Sequence, residues 1–298
     1  TTYEYDANGN VIKVTDPLGN VTTYTYDNRG NKLTETDANG NTTTYTYDLM
    51  GRLVSVTDGL GNTTIYVYDA NGNLISLQYP NGNATTFSYD AYNRLIQVTD
   101  PLGNTRTFTY DKNDNLLTMT DANGNTTTYT YDILGRKIRI TDALGNQTNF
   151  AYDANGNLIS VTDANGNKTS YTYDANNRVI QKTYPDGATY IYTYNAVGSK
   201  ITERDANGNT TTFTYDRLNR LVTKVYQDGS TSNYTYDVVG RMLTGTNRDS
   251  TLAYSYDPLG RVTQSTLNGK TITYNYDAVG NRISMTTPEG EIIQYSYN

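Results

Sequence analysis

Residues 45–69 read YTYDLMGRLVSVTDGLGNTTIYVYD, and the stretch ends on the same aromatic-x-Tyr-Asp with which it begins. Tyr47 and Tyr68 stand 21 residues apart, and a tyrosine recurs at that step from Tyr5 to Tyr236, the spacing slipping to 20 at Tyr256 and Tyr276. A fixed period of this length means that one supersecondary unit is copied and stacked on its neighbours. The expected organisation is therefore a single array of about 14 units over residues 1–298, all-β, with no single central core.

Each unit holds two turns and two strands. The first turn follows the Tyr-Asp pair as Asp-x-x-Gly-Asn/Arg, with Asp27 and Gly30, Asp48 and Gly51, or Asp69 and Gly72 at its key positions. The second comes ten residues later, as at Asp37 and Gly40. Aspartate opening a type I turn, with glycine in the left-handed position before the strand resumes, is the chemistry of a short bulged hairpin loop. Between the turns the residues alternate. Ile12, Leu33, Val54, Ile75 and Ile96 are each followed by a polar residue, the period of a strand with one packed and one wet face.

The other strand carries aromatic-x-Tyr in every unit, and its second tyrosine is never replaced: Tyr26, Tyr47, Tyr68, Tyr89, Tyr110, Tyr131, Tyr152, Tyr173, Tyr194, Tyr215. All four Phe fall at the first of the two positions, so that position tolerates loss of the hydroxyl while the second needs a partner for it. Stacked along the array, these residues make two aromatic stripes and one aliphatic stripe on one face of a long antiparallel ribbon of roughly 28 strands. Strand twist and bulges must coil such a ribbon, turning the apolar face toward the axis or toward another turn of the same ribbon. The rings are expected to be hidden there.

A formal charge of -7 argues against nucleic acid or an anionic membrane surface as partner, and no apolar run is long enough for membrane insertion as a helix. Cysteine, histidine and tryptophan are absent, which removes disulfides, histidine-based triads, thiolate nucleophiles and the usual zinc sites. The chain opens and stops inside a repeat and reads as an excerpt of a longer polypeptide.

Tyr-Asp-x-x-Gly-Arg/Asn-Leu-Ile/Val followed by Thr-Asp-x-x-Gly-Asn-Thr-Thr-x-Tyr-x-Tyr-Asp resembles the Rhs or YD repeat along essentially the whole chain. That family includes bacterial Rhs and wall-associated polymorphic toxins, the B and C components of insecticidal toxin complexes, and the teneurins. The resemblance implies a hairpin strip wound into a spiral that, in long members, forms a hollow shell around a polypeptide cargo. It also implies a bacterial, secreted or cell-surface location. The family's shell-closing core motif is missing, since Asp16-Pro17-Leu18-Gly19, Asp100-Pro101-Leu102-Gly103 and Asp257-Pro258-Leu259-Gly260 are followed by Asn20, Asn104 and Arg261. Self-cleavage and a toxic tip are therefore not carried over.

The remaining motifs have plainer readings. Asp-Ala-Asn-Gly-Asn places its glycine fourth and no acid twelfth, unlike an EF-hand, so no calcium and no other cofactor is expected. The aspartates cap turn amides and no pair stands out as acid and base, so no enzymatic activity is expected. Asn-x-Thr at Asn20, Asn41, Asn62, Asn83, Asn125, Asn146, Asn167 and Asn209 follows automatically from the repeat's Gly-Asn-x-Thr. The expected role is structural: the wall of an Rhs-type shell, or an extracellular stalk or fibre. Its partners would be flanking repeats, other copies of the chain or an encapsulated polypeptide. The competing role is adhesion to surface glycan through exposed Tyr and Asn rows.

Overall fold

The computed structural model describes residues 1–297, and all regular structure in them is strand: 29 strands from β1 (Thr2–Tyr5) to β29 (Ile292–Gln294). No helix among them is long and apolar enough to cross a membrane. Two compact units are present, Thr1–Asn146 with Ala278–Gly280, and Gln147–Asp277 with Asn281–Asn298. The first holds β1 to β14 (Lys137–Thr141) and the second β15 (Gln147–Tyr152) to β29. In each, strands pair antiparallel with their sequence neighbours, as β3 (Val21–Tyr26) does with β4 (Lys32–Thr36), and β4 with β5 (Thr42–Tyr47).

Both kinds of turn close identically, because both are written with the same residues. Asp27 N donates to Asn31 O at 2.9 Å and Gly30 N to Asp27 O at 3.1 Å; at the second turn Asp37 and Gly40 repeat this at 2.9 and 3.0 Å. Gly30 and Gly40 sit at φ 83° and 88°, the left-handed region a side chain resists. Asn93, Asp114, Asn177 and Asn219 take that position in four turns, residue types that enter the region at least cost.

The register fixes what lies on each face. Tyr24 stands opposite Glu35, and Thr25 opposite Thr34, after which the ladder shifts so that Tyr26 faces Lys32. Leu33 is thus the extra residue of a β-bulge, and so are Val54, Ile75 and Leu117 in their own hairpins. The face away from the rings is wet, and its hydroxyls pair across strands: Thr25 with Thr34 and Thr109 with Thr118, both at 2.6 Å.

The aromatic stripe does not form the hidden interior that the pattern predicts. Among the described residues no hydrophobic side chain is buried, and the stripe tyrosines from Tyr26 to Tyr215 are half-buried. The bulge aliphatics fare no better, Leu33 and Leu117 each being 37% exposed. The cause is topological. Within each unit strands touch only their sequence neighbours, so rings are covered sideways by adjacent repeats and no second layer lies over them. Half-burial leaves both the structural and the adhesive reading standing, and the contacts around the rings must decide.

Candidate functional surface

The repeated polar groups of the turns and of the stripe form two bond ladders. In the first, the tyrosine ahead of each turn reaches back 15 residues to a bulge carbonyl. Tyr26 Oη donates to Val11 O at 2.8 Å, Tyr47 to Lys32 O at 2.9 Å, Tyr68 to Leu53 O at 2.9 Å, and Tyr89 to Leu74 O at 3.0 Å. Tyr110, Tyr131, Tyr173, Tyr194 and Tyr215 repeat the bond to Leu95, Leu116, Leu158, Val179 and Lys200 at 2.7–2.9 Å. The bulge turns a carbonyl out of the strand ladder, and the phenol of the next hairpin satisfies it. Phenylalanine cannot do this. Burial also pushes the phenols of Tyr47, Tyr68, Tyr89, Tyr131 and Tyr173 above their ordinary value.

The second ladder runs through the turns. Asp27 Oδ1 accepts from the amides of Arg29 and Asn31, each at 2.9 Å, and Oδ2 accepts from Asn31 Nδ2 at 2.8 Å. Asp37 and Asp69 make the same clamp on Asn41 and Asn73. These bonds hold the carboxyls below the ordinary value; at Asp27 and Asp69 the Asn side chain is the largest cause. In the Asn-x-Thr motifs other than Asn83, whose turn opens on Tyr79, the asparagine nitrogen is this clamp donor, as Asn20 Nδ2 to Asp16 Oδ2 at 2.7 Å and Asn146 to Asp142 at 2.8 Å show. Attachment of a sugar there would break the turn.

Where the fifth turn residue is arginine, the clamp also joins neighbouring hairpins. Arg52 Nε donates to Asp48 Oδ2 at 2.7 Å, its Nη1 reaches Asp69 O at 3.0 Å, and its guanidinium lies 4.8 Å from the Tyr68 ring centroid. Arg94, Arg178, Arg220, Arg241 and Arg261 do likewise to Asp111, Asn195, Asp237, Asp257 and Asp277. Arginine alternates with asparagine along much of the array: Asn31, Arg52, Asn73, Arg94, Asn115, Arg136, Asn157, Arg178. In the intervening turns a shorter link serves, with Asn73 and Asn157 donating to Asn93 and Asn177 Oδ1, both at 2.8 Å.

Some of the aromatic-x-Tyr rings are also met by the chain's own cations. Lys32 Nζ sits 4.5 Å from the Tyr45 centroid while paired to Glu35 at 2.5 Å, and Lys200 sits 4.7 Å from the Phe213 centroid. Such contacts add about 0.5–1 kcal/mol each at exposed sites.

Arg52→Asn keeps the Asp48 clamp in the form the alternate turns use and removes only the bond to Asp69 and the ring contact. The expected cost is about 1 kcal/mol, read as a lower urea midpoint at unchanged slope. An unchanged midpoint would remove the link between hairpins from the account.

The sequence pattern anticipates the clamp but not the links, since a contact 17 residues away needs the register. The Arg/Asn alternation was the available signal. It also passes over the position opposite the first aromatic, aliphatic at Val14, Val56, Leu77, Val98 and Val161 but occupied by Glu35, Lys182, Glu203, Lys224 and Gly245 in other hairpins. Among the described residues no group of three or more carboxylates converges as a metal site, and no buried side-chain polar atom lacks a partner.

No curated protein matches the sequence. Among solved structures, TcdB2-TccC3 without its hypervariable C-terminal region aligns at TM-score 0.67 and 18% identity, over 96% of this chain and 19% of that one. TcdB2-TccC3 itself aligns at 0.66 and 18%, over 96% and 20%. The Tc holotoxin pore of Photorhabdus luminescens aligns at 0.63 and 17%, over 98% and 22%. This likeness is one of fold, and the chain spans about a fifth of the length of those chains. The RHS repeat model matches residues 5–41, 32–63, 68–105, 110–147, 152–189, 173–210, 194–231 and 256–292. With the bulged, clamped hairpin matched through most of its length, the chain belongs to the RHS repeat family.

Proposed function

We propose that this chain is a non-catalytic wall: a single hairpin array over residues 1–298 that serves as part of an Rhs-type shell around a polypeptide, or as an extracellular stalk. The observation that carries this reading is where the repeated polar groups point. Phenol hydroxyls, turn carboxylates and guanidiniums are committed to bonds between or within hairpins, which is what a self-supporting wall requires. The likeness in fold to the TcdB2-TccC3 and Tc holotoxin structures supports it. Adhesion through the Tyr rows is less well supported, because rings such as Tyr45 and Tyr68 already have a cation of this chain against them.

Trypsin tests the proposal. The intact chain is expected to be cut at the exposed turn tips Lys112, Arg217 and Arg248 and to resist at the strand residues Lys32, Arg139 and Lys200. Early cleavage at the strand sites would show an array that opens too readily to act as a wall. Binding to immobilised glycans that is lost in Tyr45→Ala would favour adhesion instead.

A further inference from the structure

The second-turn edge loses its regularity in the second unit, and the departures fall together. Tyr226 opens one turn in place of aspartate, as Tyr79 and Tyr184 do at theirs. The next, Asn247 to Ser250, closes by Asn247 N donating to Ser250 O at 2.9 Å, one residue sooner than in the Asp-opened turns. The one after is reduced to Asn268-Gly269, both at positive φ. Asn268 braces the short turn, its Oδ1 accepting from Thr251 N at 2.7 Å. Gly245 stands bare opposite Tyr234. Turn length therefore steps down along this edge, and a cleft of about 600 Å³ opens beside the Tyr226 turn.

Tyr79 opens its turn in the same way, 37% exposed and tied to Thr85 at 3.2 Å, but only at Tyr226 does the short Asn247–Ser250 turn stand beside such a ring. Tyr226 is 40% exposed, its hydroxyl is tied to Ser232 Oγ at 3.3 Å, and no cation covers its ring among the described residues. Asp228 Oδ1 is taken by Ser230 N at 2.9 Å and Ser230 Oγ at 2.6 Å, while among the described residues no bond is made to its Oδ2. The side chains of Arg248 and Asp249 make no hydrogen bond among the described residues, and Asn247 uses only its oxygen, toward Asp249 N and Ser250.

An uncovered aromatic face bordered by carboxylate, guanidinium and amide groups fits a pyranose. The C–H face of the sugar lies on the ring, and adjacent hydroxyls donate to carboxylates and accept from guanidinium and amide. Anions are disfavoured, since Asp205, Asp228 and Asp249 outnumber the single Arg248, and the polar lining disfavours an apolar ligand. We infer that this cleft binds a neutral sugar, with Tyr226 as platform, Asp228 and Asp249 as acceptors and Arg248 as donor. The site is independent of the wall reading, because it lies where the wall's own clamp is missing.

Amide NMR of the whole chain with glucose, galactose and N-acetylglucosamine, each raised to tens of millimolar, tests it. At least one sugar is expected to move the amides of the cleft, Tyr226–Ser232, Asn247–Ser250 and the Asp205–Thr211 segment beside them, and no others. Tyr226→Asp reinstates the residue that opens the regular turns, so the fold is retained while binding should weaken at least about tenfold. Arg248→Ala should weaken binding without changing the melting temperature. Three silent titrations, shifts that survive Tyr226→Asp, or shifts spread over other turns would each overturn the assignment, and none bears on the tryptic result.

Discussion

Replacing Tyr68 by alanine is expected to destabilise the first unit by about 3 kcal/mol, against about 1 kcal/mol for Tyr68→Phe. The larger figure has three parts. A fully buried aromatic costs about 3–5 kcal/mol when truncated, and a half-covered ring should cost roughly half of that. The bond from its hydroxyl to Leu53 O contributes about 1 kcal/mol, and the Arg52 guanidinium over the ring roughly 0.5 kcal/mol more. Phenylalanine loses the hydrogen bond alone. It leaves the Leu53 carbonyl, turned out by the bulge, without its phenol. Because an array is held by nearest-neighbour interfaces, Tyr68→Ala should also break the unfolding of this unit into two phases, with the hairpins on either side melting separately. Urea unfolding followed by tyrosine fluorescence and far-UV circular dichroism would show this as transitions that no longer coincide. Equal costs for Ala and Phe would mean that the ring's packing adds nothing. A cost below about 1 kcal/mol for Ala would mean that the stripe does not hold the repeats together.

That stripe also marks the limit of what the sequence shows. The hairpin and its turns are legible because a 21-residue period, Asp27 with Gly30 and Asp37 with Gly40 are local signals, each tied to a backbone geometry. The side that tyrosines face is legible from period two. What covers them is not, because alternation reports that a face is apolar and is silent on whether a second layer exists. Low aliphatic content was the available hint: an interior able to hide thirty rings would need more Leu, Ile and Val than the chain contains. The bulge was harder still. Leu33 and Val54 look like ordinary inward residues, yet each is the supernumerary residue of its hairpin, and only the pairing of Tyr26 with Lys32, and of Tyr47 with Leu53, reveals it. The same blindness hides the Arg52 link, whose two ends belong to different repeats.

Acid should dismantle the array from its turns. Asp27, Asp69, Asp100, Asp121 and Asp163 are held below the ordinary carboxyl value of 3.8, in each case chiefly by the asparagine side chain of the same turn, helped by backbone amides. At Asp48, Asp132, Asp216 and Asp237 arginine supplies the side-chain bond. A group with a depressed value in the folded chain binds fewer protons there than when unfolded. Its contribution is therefore complete above 3.8 and is lost as pH falls through the lower folded value. Many weak, identical increments titrate over one narrow window, so thermal stability should be flat through neutral pH and drop steeply below about pH 4. Asp100→Asn isolates one increment. The amide oxygen can still accept from the backbone of Leu102 and Asn104, but its nitrogen then faces Asn104 Nδ2, donor against donor. The chain avoids that conflict at its one natural asparagine in this role among the 21-residue tyrosine steps, Asn195, which is followed at the fifth turn position by Ser199. Asp100→Asn should accordingly lower the melting temperature at neutral pH, Asp100→Asn with Asn104→Ser should recover much of the loss, and the difference between wild type and the single variant should vanish once acid has protonated Asp100. A difference that persists undiminished in acid would show that the turn depends on the shape of the aspartate and not on its charge.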